Sequence, residues 1–180
     1  MSRVFGDVRQ IAYVTNDMDR ALEFFYEKAG IGPWFVAWDI PVLECSYRGT
    51  PIKLQIDAAL ANSGDMQIEI IRQISPAPSL FTELSDRHGF GLAPHHYSSW
   101  SADYDAVMRD ALANGFSKAQ EGRSRYGDFV YYQHPDEPDF VFEVTELTAE
   151  RASIFEQIRQ AAINWNGHDP IRDSWPEPKQ

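Results

Sequence analysis

An internal repeat constrains this chain more than any other feature of its sequence. Residues 8–14 are rich in β-branched and aromatic side chains, which predicts a strand, and 19–29 carries apolar residues at helical spacing. The same order returns at 95–100 and 104–113. Extended stretches follow each helix, which indicates two copies of a βαβββ module rather than an array of short repeats.

The spacing of polar residues repeats with the elements. Gln10 precedes Asp17 by seven residues, and His96 precedes Asp103 by seven. Asp17 and Asp103 are each placed to cap the helix that follows them. Gln10 and His96 are therefore predicted to occupy equivalent positions in the first strand of each module.

The predicted fold class is α+β, with two tandem modules forming a curved mixed sheet around a cleft, plus a C-terminal helix and an irregular tail. Thr148 is a good N-cap for that helix. The tail is rich in Pro, Asp and Trp and is expected to lie over the surface or over a partner subunit. We predict five segments: a first module at 8–74, a linker at 75–93, a second module at 94–147, a helix at 148–163 and a tail at 164–180.

Charge and composition disfavour several classes of partner. The 180 residues are 43% hydrophobic, enough for a packed core. The net charge of −11 argues against nucleic acid, which needs a basic footprint, and against an anionic membrane surface. Residues 1–7 lack an apolar leader, and no apolar run approaches the roughly 20 residues of a membrane helix. The expectation is a cytoplasmic protein, in which the single Cys45 forms no intramolecular disulfide.

A lone glutamate lies between apolar neighbours near the end of each copy. Glu69 follows Ile68, and Glu143 follows Phe142. Because side chains alternate along a strand, one such glutamate is more simply interpreted as solvent-facing on a half-exposed sheet. Two at equivalent places in a repeat favour a shared site, since a buried carboxylate needs a partner or a cation.

Four side chains would meet if the first and last strands of each module were neighbours and the modules were related by a pseudo-twofold axis. They are Gln10, Glu69, His96 and Glu143. One imidazole, two carboxylates and one amide oxygen suit one divalent ion such as Zn, Mn, Co, Ni or Fe. His95 is an alternative to His96 if the strand register slips, but the seven-residue spacing favours His96.

The repeat and these motifs resemble the vicinal-oxygen-chelate superfamily, which includes glyoxalases, bleomycin-resistance proteins and extradiol dioxygenases. The matching stretches are 8–14, 17–21, 66–71, 94–97 and 140–144. The linker and the double histidine look most similar to the methylmalonyl-CoA epimerase branch, and the Gln, Glu, His, Glu set to some glyoxalases I. The resemblance implies that the metal ligands are Gln10, Glu69, His96 and Glu143, and that the chain forms a homodimer.

A site of this kind would serve proton transfer next to a carbonyl in a small substrate, as in an isomerase, epimerase or lyase. Glu143 is the first candidate for the catalytic base and Glu69 the second. Two alternatives stay open. One is a non-haem iron extradiol dioxygenase, although such enzymes usually use two histidines and one carboxylate. The other is a metal-free ligand-binding or resistance module on the same fold.

Aromatic residues make up 13% of the chain and suggest an apolar or aromatic substrate. Aromatic side chains on strands are more often part of a core or an interface than of a binding site. The candidates for substrate binding are Trp34, Trp38, Tyr47 and Trp100.

Overall fold

The computed structural model describes residues 2–89 and 91–179. The strands are β1 Gln10–Val14, β2 Trp34–Pro41, β3 Glu44–Tyr47, β4 Thr50–Pro51, β5 Gln55–Ser63, β6 Met66–Gln73, β7 Ala93–Ser101, β8 Ser117–Ser124, β9 Gly127–His134, β10 Glu137–Glu146 and β11 Ile171–Arg172. The helices are α1 Met18–Glu23, continued by a π-helical turn at Phe24–Lys28, α2 Leu80–His88, α3 Tyr104–Ala113 and α4 Ala149–Ala162.

The described strands join one curved sheet in the order β11-β2-β5-β6-β1-β7-β10-β9-β8-β3-β4. Strands β2, β5, β6 and β1 come from the first copy, and β7, β10, β9 and β8 from the second. The α+β prediction is confirmed. Asp17 and Asp103 cap α1 and α3 as expected, each accepting a hydrogen bond from a backbone N–H in the first turn.

A pseudo-twofold relation is visible in the register at the centre of the sheet. β1 and β7 are antiparallel neighbours, with Gln10 opposite Ser98 and Ala12 opposite His96. Exchanging the two strands exchanges these pairs, so Gln10 and His96 are equivalent, as are Ala12 and Ser98.

The pairings of β1 and β7 with their other neighbours follow the same pseudo-twofold relation. β6 runs parallel to β1 with Glu69 opposite Ala12, and β10 runs parallel to β7 with Glu143 opposite Ser98. Both glutamates therefore project from one face of the sheet, which we call the inner face. The other face is covered by α1 and α3, which pack on two separate apolar clusters.

The first copy contains an insertion that the sequence did not predict. Asp39 adopts a positive φ of 54°, and a bulge interrupts β2. The chain then leaves the first module, and the hairpin β3–β4 pairs with β8 of the second. We call residues 37–43 the strap, because they join the two edges of the curved sheet across the inner face.

Two further elements lie in segments for which the sequence predicted no regular structure. The linker contains α2, which begins at a capping box formed by Ser79 and Thr82. The tail adds β11 beside β2, and Pro170 accepts a backbone hydrogen bond from Trp34 at 2.7 Å. α4 packs on the inner face through Ile154, Phe155 and Ile158 around Leu60.

Candidate functional site

The four central strands bring the four predicted ligands to one place on the inner face. Gln10, His96 and Glu143 are 3%, 3% and 6% exposed, and the Glu69 side chain is 13% exposed. Gln10, Glu69 and Glu143 line the large cavity on this face, and the His96 side chain is completely buried beside them. The plainer interpretation of the glutamates as solvent-facing residues does not describe their position.

His96 is the centre of the cluster. Its Nε2 atom lies 3.6 Å from Glu69 Oε2 and 3.5 Å from Glu143 Oε2. The same atom is buried without a hydrogen-bond partner. Buried polar atoms are almost always satisfied, so an atom of this kind between two carboxylates is a suitable donor to a bound cation.

These distances fit ligands that share one ion. In the described parts of the chain, no group of three or more His, Cys, Asp or Glu side chains is placed closely enough to hold a metal ion as it stands. Two ligand atoms about 2.1 Å from one tetrahedral metal are themselves about 3.4 Å apart. The separations of 3.5 and 3.6 Å match that spacing. His96 therefore lies at ligand spacing from each glutamate, and one imidazole with two carboxylates is a donor set that suits a divalent ion.

Gln10 is held in place by a second amide. Its Nε2 donates to Oε1 of the fully buried Gln67 at 2.8 Å. This bond uses the nitrogen of the Gln10 amide and leaves the carbonyl oxygen, which is the atom that can bind a metal. Since Gln10 lines the cavity, that oxygen can serve as the fourth donor.

A bulge in β7 places both histidines on the inner side of the sheet. Ala12 pairs with His96 and Tyr13 with Pro94, so His95 is the extra residue. His95 Nδ1 lies 2.7 Å from His96 Nδ1. His95 therefore backs the ring of His96 on the side away from the carboxylates, and this position favours His96 over His95 as the candidate ligand.

Charge is distributed unequally across the cluster. Burial by itself lowers the pKa of His96, but the two glutamates outweigh it and raise that pKa to about 9. Burial raises the pKa of Glu69, helped by repulsion from Glu143. Burial also acts to raise the pKa of Glu143, but the interaction with His96, helped by Ser98, reverses the direction and lowers it. Burial and the neighbouring His96 lower the pKa of His95 to about 3, so His95 is neutral at pH 7.

Tyr131 belongs to the site and was not predicted from the sequence. It lies opposite Glu143 in the antiparallel β9–β10 pair and lines the cavity. Burial and the negative charge of Glu143 raise its pKa well above the usual value, so it stays a neutral phenol. Strand alternation in β9 offered a signal, because Phe129 and Tyr131 share a face, but their partner strand could not be identified without the register.

The cavity above these residues has a volume of about 640 Å³, within the range of small-molecule sites. Its walls are formed by the strap, by β5, by α4 and by the tail. Apolar lining residues predominate, including Ile56, Leu60, Ile71 and Phe155.

The four predicted substrate-binding aromatics separate into different environments, and only Trp38 lines this cavity. The expectation for the other three is corrected. Trp34 is fully buried in the core beneath α1, where its Nε1 donates to the Ile31 carbonyl. Tyr47 lies on β3 and accepts a hydrogen bond from Arg48 Nε. Trp100 lies behind the cavity wall, with its ring centre 4.4 Å from that of Phe155.

The fold and this cluster define a two-module protein with a polar centre shared between the modules. Residues 9–132 match the model of the glyoxalase/bleomycin resistance protein/dioxygenase superfamily. This match covers more than half of the chain, and the protein belongs to that superfamily. The resemblance seen in the sequence is confirmed.

Solved structures with the same fold include two methylmalonyl-CoA epimerases. The one from Mycobacterium tuberculosis has a TM-score of 0.56 and 15% identity over 82% of this chain and 92% of its own. A second epimerase has a TM-score of 0.53 and 16% identity over 82% and 99%. A hypothetical protein from Bacillus halodurans has a TM-score of 0.56 and 14% identity over 79% and 94%. No curated protein matches the chain in sequence.

Among the helices of the described residues, none is both long enough and apolar enough to span a membrane.

Proposed function

We propose that this protein is a divalent-metal-dependent enzyme that moves a proton next to a carbonyl group of a small substrate, as an isomerase, epimerase or lyase. The observation that carries the proposal is the position of His96 Nε2, buried without a partner and within 3.6 Å of both glutamates. Membership of a superfamily that includes epimerases supports it.

Gln10, Glu69, His96 and Glu143 would hold the ion, with Zn, Mn, Co, Ni and Fe as candidates. Bound there, it would supply Lewis-acid polarisation of substrate oxygen atoms. Gln67 and His95 would keep the Gln10 oxygen and the His96 nitrogen directed at the same point. Tyr131 would offer a neutral hydroxyl to the substrate.

Two carboxylates are available to carry the proton. The sequence favours Glu143 as the base and Glu69 as the second candidate. The pKa directions of the metal-free site favour the opposite order, because the pKa of Glu69 is raised and that of Glu143 is lowered. A base with the higher pKa accepts a proton more readily near neutral pH. Glu69 and Glu143 are therefore both candidates for the proton carrier, and His96 with Glu143 would form the anchor of the site.

Metal content tests the proposal directly. Protein purified without chelators or a metal-affinity column should contain close to one divalent ion per chain by elemental analysis. Glu143→Ala should lose most of it. Glu156→Ala is the matched control, since Glu156 is paired with Arg159 on the surface of α4. The proposal fails if the parent protein takes up no Mn, Co, Ni or Zn even after soaking.

The metal-free binding module is the second candidate, and one observation favours it. With a pKa raised to about 9, His96 is an imidazolium near neutral pH and balances the two glutamates without any ion. A chain that binds no metal would then hold an apolar ligand above an internal ion pair. The elemental analysis separates the two candidates. Homodimerisation stays a prediction in both.

A further inference from the structure

We infer that, behind the oxygen pair that the ion of the proposed function would bind, the ligand of this site has a small, neutral, apolar body, and that the site does not take a coenzyme A thioester. This inference rests on the proposed function for the oxygen pair alone. The apolar body is argued from the cavity.

The floor of the cavity on the sheet has one polar group of side chains with apolar neighbours around it. Gln10, Glu69 and Glu143 lie together on the sheet, while Leu60 and Ile71 beside them are buried and apolar. Burial of an apolar ligand surface stabilises binding by about 25 cal/mol per Å² before the costs of association. A ligand with oxygens at one end and hydrocarbon at the other matches this division.

Charge at the mouth disfavours a phosphate-bearing substrate. The exposed lining residues include the carboxylates Asp39, Asp173 and Glu177. Among the described lining residues, the cations are Arg125 and Arg151. A coenzyme A moiety carries several phosphate charges and would meet more carboxylates than guanidinium groups there.

Arg151 is not free to bind an anion. It is 7% exposed, and its guanidinium donates to the carbonyl oxygens of Asp128, Gly127 and Glu146 and to Ser124 Oγ, over distances of 2.5 to 3.1 Å. These bonds tie the β8–β9 turn to α4. Arg125 is exposed and lies over the Tyr126 ring, 5.4 Å from its centre. Among the described lining residues at the mouth, the guanidinium of Arg125 therefore faces three exposed carboxylates.

The tail forms an ordered wall over the mouth. Trp175 stacks against Tyr126 with ring centres 6.1 Å apart, and its Nε1 donates to the Ala58 carbonyl at 3.3 Å. Gln157 Nε2 donates to the Glu177 carbonyl at 2.8 Å. The strap lies on the other side of the mouth. The two walls together favour a ligand that fits inside the cavity, and they disfavour a ligand with a long group that extends into solvent.

Three matched probes test the inference on protein whose metal content has been measured. 2-Naphthohydroxamate has both the apolar body and the oxygen pair, acetohydroxamate has the oxygen pair alone, and 2-naphthamide has the body alone. By calorimetry, we expect the first to bind at least tenfold more tightly than either of the others. We expect propionyl-CoA to bind more weakly than 2-naphthohydroxamate.

A cavity-filling variant supplies the control. Ile56 lines the cavity from β5, a strand that carries none of the four candidate ligands. Ile56→Trp should weaken 2-naphthohydroxamate at least tenfold while leaving metal content and acetohydroxamate binding unchanged. Equal affinity for the two hydroxamates, or tighter binding of propionyl-CoA, would overturn the inference.

Failure of the proposed function would give a different experimental result from failure of this inference. If the chain holds no metal, the proposed function fails and 2-naphthamide becomes the deciding probe. Binding of 2-naphthamide that is lost in Ile56→Trp would still support an apolar ligand in this cavity. Absence of 2-naphthamide binding to the metal-free protein would overturn the inference as well.

Discussion

The two halves of the site start from equivalent positions and end in different environments. In the first module, Glu69 lies opposite Ala12, which offers it no polar group. In the second, Glu143 lies opposite Ser98, which helps to lower its pKa. The glutamates share a place in the repeat, but only Glu143 has a neighbouring hydroxyl that stabilises its charge.

The candidate ligands on the first strands of the two modules also have different neighbours. Gln10 is backed by Gln67 through one hydrogen bond between amides. His96 is backed by His95, which the β7 bulge brings to its Nδ1 atom. Each of these two candidate ligands therefore has one polar neighbour, an amide in the first module and an imidazole in the second. Equivalent positions in the repeat therefore give the candidate ligands the same geometry, and different neighbours give them different surroundings.

Removing the ligand from each half should break this comparison most clearly. His96→Ala is expected to weaken metal binding by at least a hundredfold, because it removes the only imidazole among the four donors. Gln10→Ala should cost about tenfold or less, since an amide oxygen is the weaker ligand. Competition with a chromogenic chelator measures both. Equal losses would contradict the assignment of the anchor to the second module.

The dependence on pH should reveal the proton that the ion displaces. His96 has a pKa raised from 6.5 to about 9 in the metal-free protein, so metal affinity should rise with pH across that window, by up to about tenfold per unit. The stability from the raised pKa is fully present below pH 6.5 and is lost as pH rises through about 9.

Thermal unfolding of chelator-treated protein checks the second half of this prediction. Its Tm should fall between pH 6.5 and 9, the window set by the His96 pKa. Metal-loaded protein should show no such fall. A flat Tm in the metal-free protein would show that His96 does not hold the proton.

The groups behind the ligands should matter less than the ligands themselves. His95→Phe keeps a ring in the aromatic surroundings formed by Phe81 and Tyr131 but removes the acceptor for His96 Nδ1. Changes of this kind cost roughly 10- to 100-fold in metal affinity. Gln67→Leu is the counterpart in the first module and should cost less than His95→Phe. The readout is metal affinity at constant Tm.

Substitution of the residues opposite the two glutamates should have the smallest effect on metal affinity, and it compares the two modules most directly. Ser98→Ala should raise the pKa of Glu143 and weaken metal binding several-fold, consistent with about 1 kcal/mol for one hydrogen bond. Ala12→Ser should lower the pKa of Glu69 instead. The acid side of the metal-affinity profile measures both changes. A shift in the same direction for both variants would refute the role of the neighbouring hydroxyl.

The spacing of the repeat was sufficient to predict which residues meet. Seven residues separate Gln10 and His96 from their helix caps, and a regular strand between such points leaves little freedom of register. What failed were the predictions that depended on irregular backbone. Trp34 and Trp38 are four residues apart, so a regular strand would place both side chains on the same face. The bulge at Asp39 interrupts this alternation, and of the two only Trp38 lines the cavity.

The same limitation applies to His95 and to the tail. A bulge adds one residue to one strand and has no periodic signature, so the pairing of His95 with His96 could be seen only in the structure. Trp175 reaches the cavity through contacts with distant parts of the chain, including Ala58, which no local pattern encodes. Local periodicity predicts elements, whereas these contacts depend on how the elements pack.

The hairpin that crosses between modules also has a consequence for biosynthesis. β3 at Glu44–Tyr47 pairs with β8 at Ser117–Ser124, which leaves the ribosome about 70 residues later. At roughly 5 to 20 residues per second, the first module waits several seconds with that strand unpaired. An unpaired strand edge is prone to intermolecular association. Slow translation between the modules should therefore lower the soluble yield of this protein, and a nascent chain halted before Ser117 should be the species that chaperones retain.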